Sequence, residues 1–275
     1  MAYATVGTQG SVHSWGSTNI YSKMLAAMIS QSATYTQTED DAEVTGLNST
    51  AASEIPGLKT SSVEISSILT ATPFIGNLGN IAFSGGTTYA VHPYAWEWNI
   101  ESAAVHDITE MGSTVKFRSF RPDYVRVSGT IHCYADITTG LVNLPDPAAT
   151  LTTLTLTYNT GATLAGGAVL KQLGAAVRRG DKNMVSYSFK GDNTTSAWTS
   201  AGGLFANDTS AAPFTVPTWS AGGAAAGALE IHTVEATKKI AIADSFWRRI
   251  SIRCSVGELV TANLSVVGSG AVTMT

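Results

Sequence analysis

The chain has 275 residues, long enough to bury a substantial core as one large β domain or as two small ones. Charged residues form only 13% of it, roughly half the share usual in soluble domains, which suggests that other subunits cover much of the exterior. The net charge of −4 argues against a broad nucleic-acid-binding surface, and the lack of a long apolar run or a signal sequence predicts a protein that stays in the cytoplasm.

Two short helices are expected. The first covers residues 22–30, whose apolar positions 24, 25, 28 and 29 have the spacing of one helix face. The second covers residues 146–154, because the pair Asp146-Pro147 can cap and begin a helix.

Elsewhere apolar and polar residues alternate, as they do in half-buried strands. In residues 184–191 (MVSYSFKG), for example, Val185, Tyr187 and Phe189 fall on one face and polar residues on the other. Similar alternation occurs at residues 63–66, 95–100, 124–129, 154–158, 250–254 and 261–268. The chain is therefore predicted to be mainly β.

Residues 194–228 have a different composition. They are rich in Gly, Ala, Ser, Thr and Pro but also carry Trp198, Phe205, Phe214 and Trp219, more aromatic residues than an inert linker would hold. We interpret this segment as an extended loop or arm that lies against another surface.

The strand at residues 184–191 returns at residues 261–268, and the residues before it also correspond at an offset of 77. The turn Gly180-Asp181 falls on Gly257-Glu258. The positions Leu170, Leu173, Ala175 and Val177 fall on Trp247, Ile250, Ile252 and Cys254. A strand, a tight turn and a second strand are thus repeated as a unit.

A looser pair links residues 43–47 with 107–111, each followed by a proline and then by a strand at 63–66 or 125–128. Chance alignment of two hairpins is the alternative. The order of the units predicts a duplicated β-sandwich or partial barrel with one or two short helices and long loops, in which one module is nested within the other or the two modules exchange strands. The expected divisions are a first half of module one with an N-terminal arm (1–84), a complete inner module (85–193), the loop or arm (194–228) and the closing half of module one (229–275).

Three groups of residues resemble the major tail tube proteins of long-tailed bacteriophages. They are Glu43-Val-Thr-Gly followed by Ile55-Pro-Gly-Leu-Lys59 and its alternating strand, the segment that begins Asp146-Pro-Ala, and the closing residues 257–270. The resemblance covers most of the chain except residues 194–228. It implies a tail-tube-like β-sandwich flanked by a helix, a structural protein that polymerises into stacked rings, usually sixfold, and forms the hollow tube of the virion through which DNA is delivered.

The partners that the resemblance implies are further copies of the chain, a tape-measure protein inside the tube during assembly, and tail-tip and terminator proteins at its ends. DNA would pass through the lumen without specific binding, and no membrane is involved. Because a chain with two similar modules can fill two positions of a ring, three chains would form a pseudo-sixfold ring. Six chains per ring are expected if the repeat is coincidental.

A tube that lets DNA slide needs an acidic or neutral lumen, because several Lys or Arg contacts to phosphate would hold the duplex. Alternation places Glu43, Glu64 and Asp107 opposite the apolar face of their strands, and we expect these three carboxylates to line the lumen. A solvated outer face is the alternative. Arg126 falls on the same face and departs from this expectation, unless it pairs with a neighbouring carboxylate.

No catalytic, metal or cofactor site is predicted, so the chain is not expected to be an enzyme. The five histidines have no metal-ligand spacing, and the sequence holds neither a nucleophile elbow nor a phosphate-binding loop. Trp96 and Trp98 share one side of a strand, where packing is favoured over sugar stacking. Two alternative functions remain: an injection-tube protein of a contractile secretion system, and a monomeric β-sandwich adhesin or carbohydrate-binding module with Trp96 or Trp219 exposed.

Overall fold

A computed structural model describes residues 11–14, 28–43, 54–69, 80–84, 91–102, 105–107, 118, 120–122, 125–135, 150–159, 162–177, 181–192, 198–201, 214–215, 229–234 and 238–275. Over these ranges the protein is almost entirely β and contains no helix. In chain order the strands are β1 (Ser11–Ser14), β2 (Met28–Glu43), β3 (Glu54–Leu69), β4 (Asn80–Ser84), β5 (Val91–Ser102), β6 (Val105–Asp107), β7 (Phe120–Pro122), β8 (Val125–Ala135), β9 (Thr150–Asn159), β10 (Ala162–Ala176), β11 (Met184–Gly191), β12 (Thr199–Ala201), β13 (Phe214–Thr215), β14 (Leu229–Val234), β15 (Lys238–Ser255) and β16 (Thr261–Met274).

Both helix predictions are wrong where the structure describes their residues. Residues 28–30 belong to β2, which pairs with β3 along its length, and this long ladder outweighs the helical spacing of a few apolar residues. Residues 150–154 belong to β9, whose β-branched threonines favour a strand while its leucines enter the core. Residues 22–27 and 146–149 lie outside the described ranges.

Most strands belong to one large antiparallel sheet. Its main path runs β13-β12-β10-β11-β8-β5-β15-β16-β3-β2. β9 pairs with the first part of β10 and carries β4, and β14 pairs in the same way with the first part of β15 and carries β1. A separate two-stranded sheet joins β6 to β7.

The sheet folds over itself into two layers. The Trp96 side chain of β5 donates its indole N–H to the carbonyl of Thr157 in β9, at 3.2 Å, although several strands separate β9 from β5 along the sheet. β10 joins the layers: its register is interrupted between Gly166 and Ala168, between the part that pairs with β12 and the part that pairs with β11. Long strands with irregular corners are how sandwiches turn from one layer to the other.

The core lies between these layers and follows the alternation of the sequence. Val185, Tyr187 and Phe189 are each buried on β11, as their spacing predicted. Trp96 and Trp98 are 2% and 1% exposed, so both pack in the core and form no sugar-stacking platform. The other fully buried side chains of this face include Ile65, Ile100, Ile131, Ile250, Ile252 and Leu264.

The hairpins β10–β11 and β15–β16 have the same register at the offset of 77. Leu170 pairs with Phe189 where Trp247 pairs with Val266, and Ala175 pairs with Val185 where Ile252 pairs with Ala262. Each hairpin also has a β-bulge at the same place, which leaves Lys171 in one and Arg248 in the other as the extra residue. Bulges are specific local features, so their coincidence makes a chance alignment of two hairpins a poor explanation.

The pairs β2–β3 and β5–β8 correspond in the same way. One bulge leaves Gln31 unmatched between Ser30 and Ser32, and the other leaves Tyr94 unmatched between Pro93 and Ala95. On the far sides of β3 and β8, Glu64 pairs with Ser265 where Thr130 pairs with Ser188. Residues 63–66 therefore match residues 129–132, four positions beyond the segment 125–128 suggested by the sequence.

These correspondences define two strand sets. The split set contains β1, β2, β3, β14, β15 and β16, and the inserted set contains β4, β5, β8, β9, β10 and β11. Within the main sheet the inserted set supplies the quartet β10-β11-β8-β5, and the split set supplies the quartet β15-β16-β3-β2 beside it. β4 lies before the expected boundary at residue 85, yet it pairs with β9 of the inserted set.

Candidate functional site: the polar face and the edges of the eight-stranded sheet

The two quartets present one continuous polar face. Along each strand, the residues that alternate with the core side chains are half-buried or exposed, and most carry hydroxyl, amide or charged groups. On the described strands they are Thr34, Thr36, Thr38, Ser62, Glu64, Ser66, Glu97, Asn99, Glu101, Arg126, Ser128, Thr130, His132, Ser186, Ser188, Lys190, Arg249, Ser251, Arg253, Asn263 and Ser265. Acidic and basic side chains are interleaved on this face, so it carries no continuous basic track.

The three carboxylates predicted to line the lumen belong to different parts of the strand arrangement. Glu64 is exposed on the polar face and accepts a hydrogen bond from Ser265 Oγ to its Oε1, at 2.5 Å. The backbone of Glu43 pairs with Glu54, which lies about 33 Å along β3 from Glu64 at the usual strand rise. Asp107 belongs to the separate sheet of β6 and β7. Arg126 is exposed on the polar face, as alternation predicted.

The two quartets meet at a seam between β5 and β15. On its apolar side, Ile250 lies opposite Ile100 and Ile252 opposite Trp98, and all four are buried. On its polar side, Arg249 Nη2 donates to Asn99 Oδ1 at 3.0 Å and lies 3.8 Å from Glu97 Oε1. Asn99 Nδ2 donates to the same Glu97 oxygen at 2.9 Å. The seam thus combines buried apolar pairs on one face of the sheet with hydrogen-bonded polar side chains on the other face.

The two quartets together form eight adjacent strands, of which β2 is the outermost on one side and β10 the outermost on the other. Among the described residues, β2 pairs only with β3, and β10 beyond Val169 pairs only with β11. No charged side chain occurs in residues 31–38 of β2, or in residues 172–177, which are the end of β10 and the following Val177. Such edges are normally protected by charges or proline, because free N–H and C=O groups template pairing with another chain.

Charge returns immediately beyond this part of β2. Glu39 forms an ion pair with Lys59, with 3.6 Å between Oε2 and Nζ, and Asp40 pairs with Arg118. The uncharged stretch of β2 therefore ends at Thr38, immediately before the residues that form these ion pairs. Sequence reasoning missed both edges, although their lack of charge was a readable signal.

Apolar side chains lie at both edges. Ala33 and Tyr35 of β2, and Leu173 of β10, are only partly covered by the core, and Val177 is 70% exposed. In the seam the corresponding positions Trp96, Trp98, Ile250 and Cys254 are almost completely buried. The edges therefore hold the same kind of residues as the seam but lack a covering strand among the described residues.

The inserted set has an aromatic cluster near the edge of β10. Tyr94, the bulge residue of β5, stacks on Tyr134 with 4.4 Å between ring centroids, and Lys182 Nζ lies 4.5 Å from the Tyr134 ring centre. Burial is the largest cause that raises the pKa of Tyr94, and the nearby Tyr134 and Cys133 raise it further. The equivalent positions of the split set are Gln31 and Ile68, so the two sets share a backbone and differ in this surface.

The start of the segment 194–228 lies against the chain's own sheet. Trp198 is buried, stacks on Phe189 with ring centroids 5.8 Å apart, and donates its indole N–H to the carbonyl of Gly167 at 3.0 Å. A side chain at Gly166 would collide with the Trp198 ring. β12 then pairs with β10, and β13 with β12. The other residues of this segment, including Phe205 and Trp219, lie outside the described ranges.

The described part of the chain contains no cluster of three His, Cys, Asp or Glu side chains that could hold a metal ion. It likewise contains no helix long and apolar enough to cross a membrane. Comparison with known proteins adds no assignment: no protein-family model matches the chain, and no curated protein matches it significantly.

Proposed function

We propose that this chain is the structural unit of a tube of the phage tail type, in which copies join edge to edge into rings and the rings stack. The observation that carries the proposal is the strand order. Two quartets of matching register lie side by side in one sheet, and at each end of the pair an uncharged edge has no further partner strand among the described residues. A contact that already joins quartet to quartet inside the chain can then join chain to chain, which leaves no free edge in a closed ring.

Barrel geometry favours three chains per ring. With eight strands from each chain, three chains make a closed barrel roughly 48 Å across between backbones, for strands about 4.8 Å apart and tilted about 40°. Two chains would make a barrel of roughly 32 Å, from which side chains on all sides must still be subtracted. The wider barrel has room for a DNA duplex, and its two quartets per chain give it pseudo-sixfold symmetry.

The polar face supports a role as the lumen. β9 lies over the apolar face of the sheet, where Trp96 donates to the carbonyl of Thr157, so the opposite, polar face is the one that we expect to line the channel. Its hydroxyl groups and interleaved charges offer phosphates no continuous basic track, which suits DNA that must slide. In this proposal the lumen is mixed in charge and Glu64 belongs to it. The further partners are a tape-measure protein, tail-tip and terminator proteins, and the DNA in transit within the virion.

Negative-stain electron microscopy of the purified, concentrated chain tests the proposal. We expect rings and stacked tubes, with three chains in each ring of a class average. A protein that stays monomeric at every concentration would end the proposal, and six chains per ring would contradict the trimeric ring alone. The secretion-system tube predicts the same images. The adhesin alternative is weakened because Trp96, one of its two candidate sugar-binding residues, is buried.

A further inference from the structure

We infer that the internal seam between β15 and β5 is the template for the contact between chains, and that β10 of one chain pairs antiparallel with β2 of the next in a defined register. The inference deepens the proposed function, since it requires copies of this chain to meet edge to edge. In the seam, seven consecutive pairs join β15 to β5, from Arg249–Glu101 to Ser255–Ala95.

The matching registers carry this seam over to the open edges. The offset of 77 places Arg249, Ile252 and Arg253 on Gln172, Ala175 and Ala176 of β10. The matching bulges place Trp98 on Tyr35, because Tyr35 pairs with Val63 where Trp98 pairs with Gly129. The pairs expected between chains are therefore Gln172–Thr38, Leu173–Gln37, Gly174–Thr36, Ala175–Tyr35, Ala176–Thr34 and Val177–Ala33.

The apolar sides of the two edges are complementary in size. Tyr35, the largest side chain of the β2 edge, faces Ala175, and the small Ala33 faces the exposed Val177. Large side chains opposite small ones interdigitate across a strand pair and fill the space between layers. If the two edges join, Tyr35 and Val177 become buried. The equivalent residues of the seam, Trp98 and Cys254, are buried already.

The polar sides differ from the seam in charge. There the carboxylate of Glu97 lies between Asn99, Ser251 and Arg249. The equivalent edge residues are Thr34, Thr36, Gly174 and Gln172, which carry no charge. The contact between chains thus rests on backbone hydrogen bonds and apolar burial, and no unpaired charge has to be buried when it forms.

Disulfide cross-linking tests the register. Thr34→Cys with Ala176→Cys places two thiols on the polar side at a predicted directly opposed pair, whereas Thr36→Cys with Ala176→Cys moves one thiol to the diagonal position. Directly opposed residues fit disulfide geometry and diagonal ones about 7–8 Å apart do not, so we expect about tenfold faster interchain oxidation of the first pair. The native Cys133 and Cys254 are buried, and each single variant serves as a background control.

Oxidised samples are analysed on non-reducing gels and by electron microscopy. A dominant circular adduct of three chains from the first pair, with little from the second, is the expected result. Equal or absent cross-linking in samples that contain rings or tubes would overturn the register while leaving the tube proposal in place. In-register cross-links without tubes would support the contact and count against the tube. If neither cross-linked chains nor tubes form, the result would count against both the register and the tube proposal.

A charge swap provides a second measurement that does not depend on thiols. In the seam Glu97 lies opposite Arg253. Thr34 is the residue equivalent to Glu97, and Ala176 is the residue equivalent to Arg253. Ala176→Glu with Thr34→Glu should reduce ring formation at low salt, because Glu64 of the same chain also lies opposite position 34, and Ala176→Glu with Thr34→Arg should restore it. Melting temperatures of the monomers show whether each variant folds. Equal assembly by the two folded double variants would contradict the predicted pairing.

Discussion

Tyr35 and Trp98 occupy the same position in the two quartets of the sheet. Tyr35 lies on β2 opposite Val63, and Trp98 lies on β5 opposite Gly129. Trp98 is covered by Ile252 of the adjoining quartet, whereas Tyr35 is half-buried on a strand that has a partner on one side only among the described residues. One position therefore belongs to an internal contact, and the other to the surface where we expect the next chain.

Replacing Tyr35 by Ala should weaken assembly more than folding. The side chain is half-buried in the isolated chain, so the melting temperature of the monomer should change little. Loss of its burial between chains should cost about 2 kcal/mol per contact, or roughly thirtyfold in the association constant. Light scattering across a concentration series measures this. Ser66→Ala, at an exposed position on the polar face of the neighbouring strand β3, is the control, and equal assembly of the two variants would contradict the edge contact.

Gly129 and Phe189 should behave as a coupled pair. They lie opposite each other where the split set has Val63 opposite Val266, so one set uses a small and a large residue and the other two of medium size. A side chain at Gly129 would collide with the Phe189 ring and with the carbonyl of Glu97. Gly129→Val should therefore lower the free energy of unfolding by about 2–3 kcal/mol.

Adding Phe189→Val should recover part of that loss, because it removes the ring but leaves the Glu97 carbonyl in place. Urea denaturation of the single and double variants should give a coupling of about 1 kcal/mol or more. The pair Gly129→Val and Ile242→Val, which changes a buried residue of β15 instead, should be additive and serves as the control. Additive effects at Gly129 and Phe189 would contradict the proposed size compensation.

The two cysteines should not react with thiol reagents in the native protein. Burial raises the pKa of Cys133 to about 12 and that of Cys254 to about 11, from 9.0. Since the thiolate is the reactive form, dithiobis-nitrobenzoate at pH 8 should label neither thiol until urea unfolds the chain. Rapid labelling of one native thiol would mean that its side chain is accessible.

The same pKa values predict how stability depends on pH. In the unfolded chain the thiols ionise near pH 9, while the folded chain retains their protons up to about pH 11 or 12. Their contribution is fully present below pH 9 and is lost as the pH rises through this window. Urea denaturation between pH 8 and 11 should therefore show a steeper decline for the natural chain than for Cys133→Ala. Parallel declines would contradict the prediction.

Charge reversal at Glu64 tests the assignment of the lumen. Glu64→Lys should leave assembly intact, because the side chain is exposed on the polar face of β3, whose two neighbours, β2 and β16, belong to the same chain. It should, however, add a basic group to every chain of a ring and retain labelled duplex DNA in sedimented tubes at low salt. Glu64→Gln is the neutral control. If tubes of the Glu64→Lys variant retain no more DNA than natural ones at about 50 mM salt, Glu64 does not line the channel.

The alternation of the sequence was enough to assign faces. It placed Val63, Ile65 and Tyr187 in the core and Glu64 and Arg126 on the polar side, because successive strand residues point to opposite faces whatever their partners are. It could not decide the match between β3 and β8. An even shift preserves the alternation, so residues 125–128 and 129–132 fit residues 63–66 equally well until the backbone pairing chooses between them.

The sequence by itself thus determined that the chain is mainly β and that one hairpin is written twice, since periodicity and repetition are local properties. Only the tertiary structure decided where the repeats lie. The seam joins Glu101 to Arg249 across much of the chain, and it exists because β3, β16, β15 and β5 meet in one sheet. Backbone hydrogen bonds between distant strands carry no residue signature, so the seam and the two open edges that resemble it emerge only when the sheet is assembled.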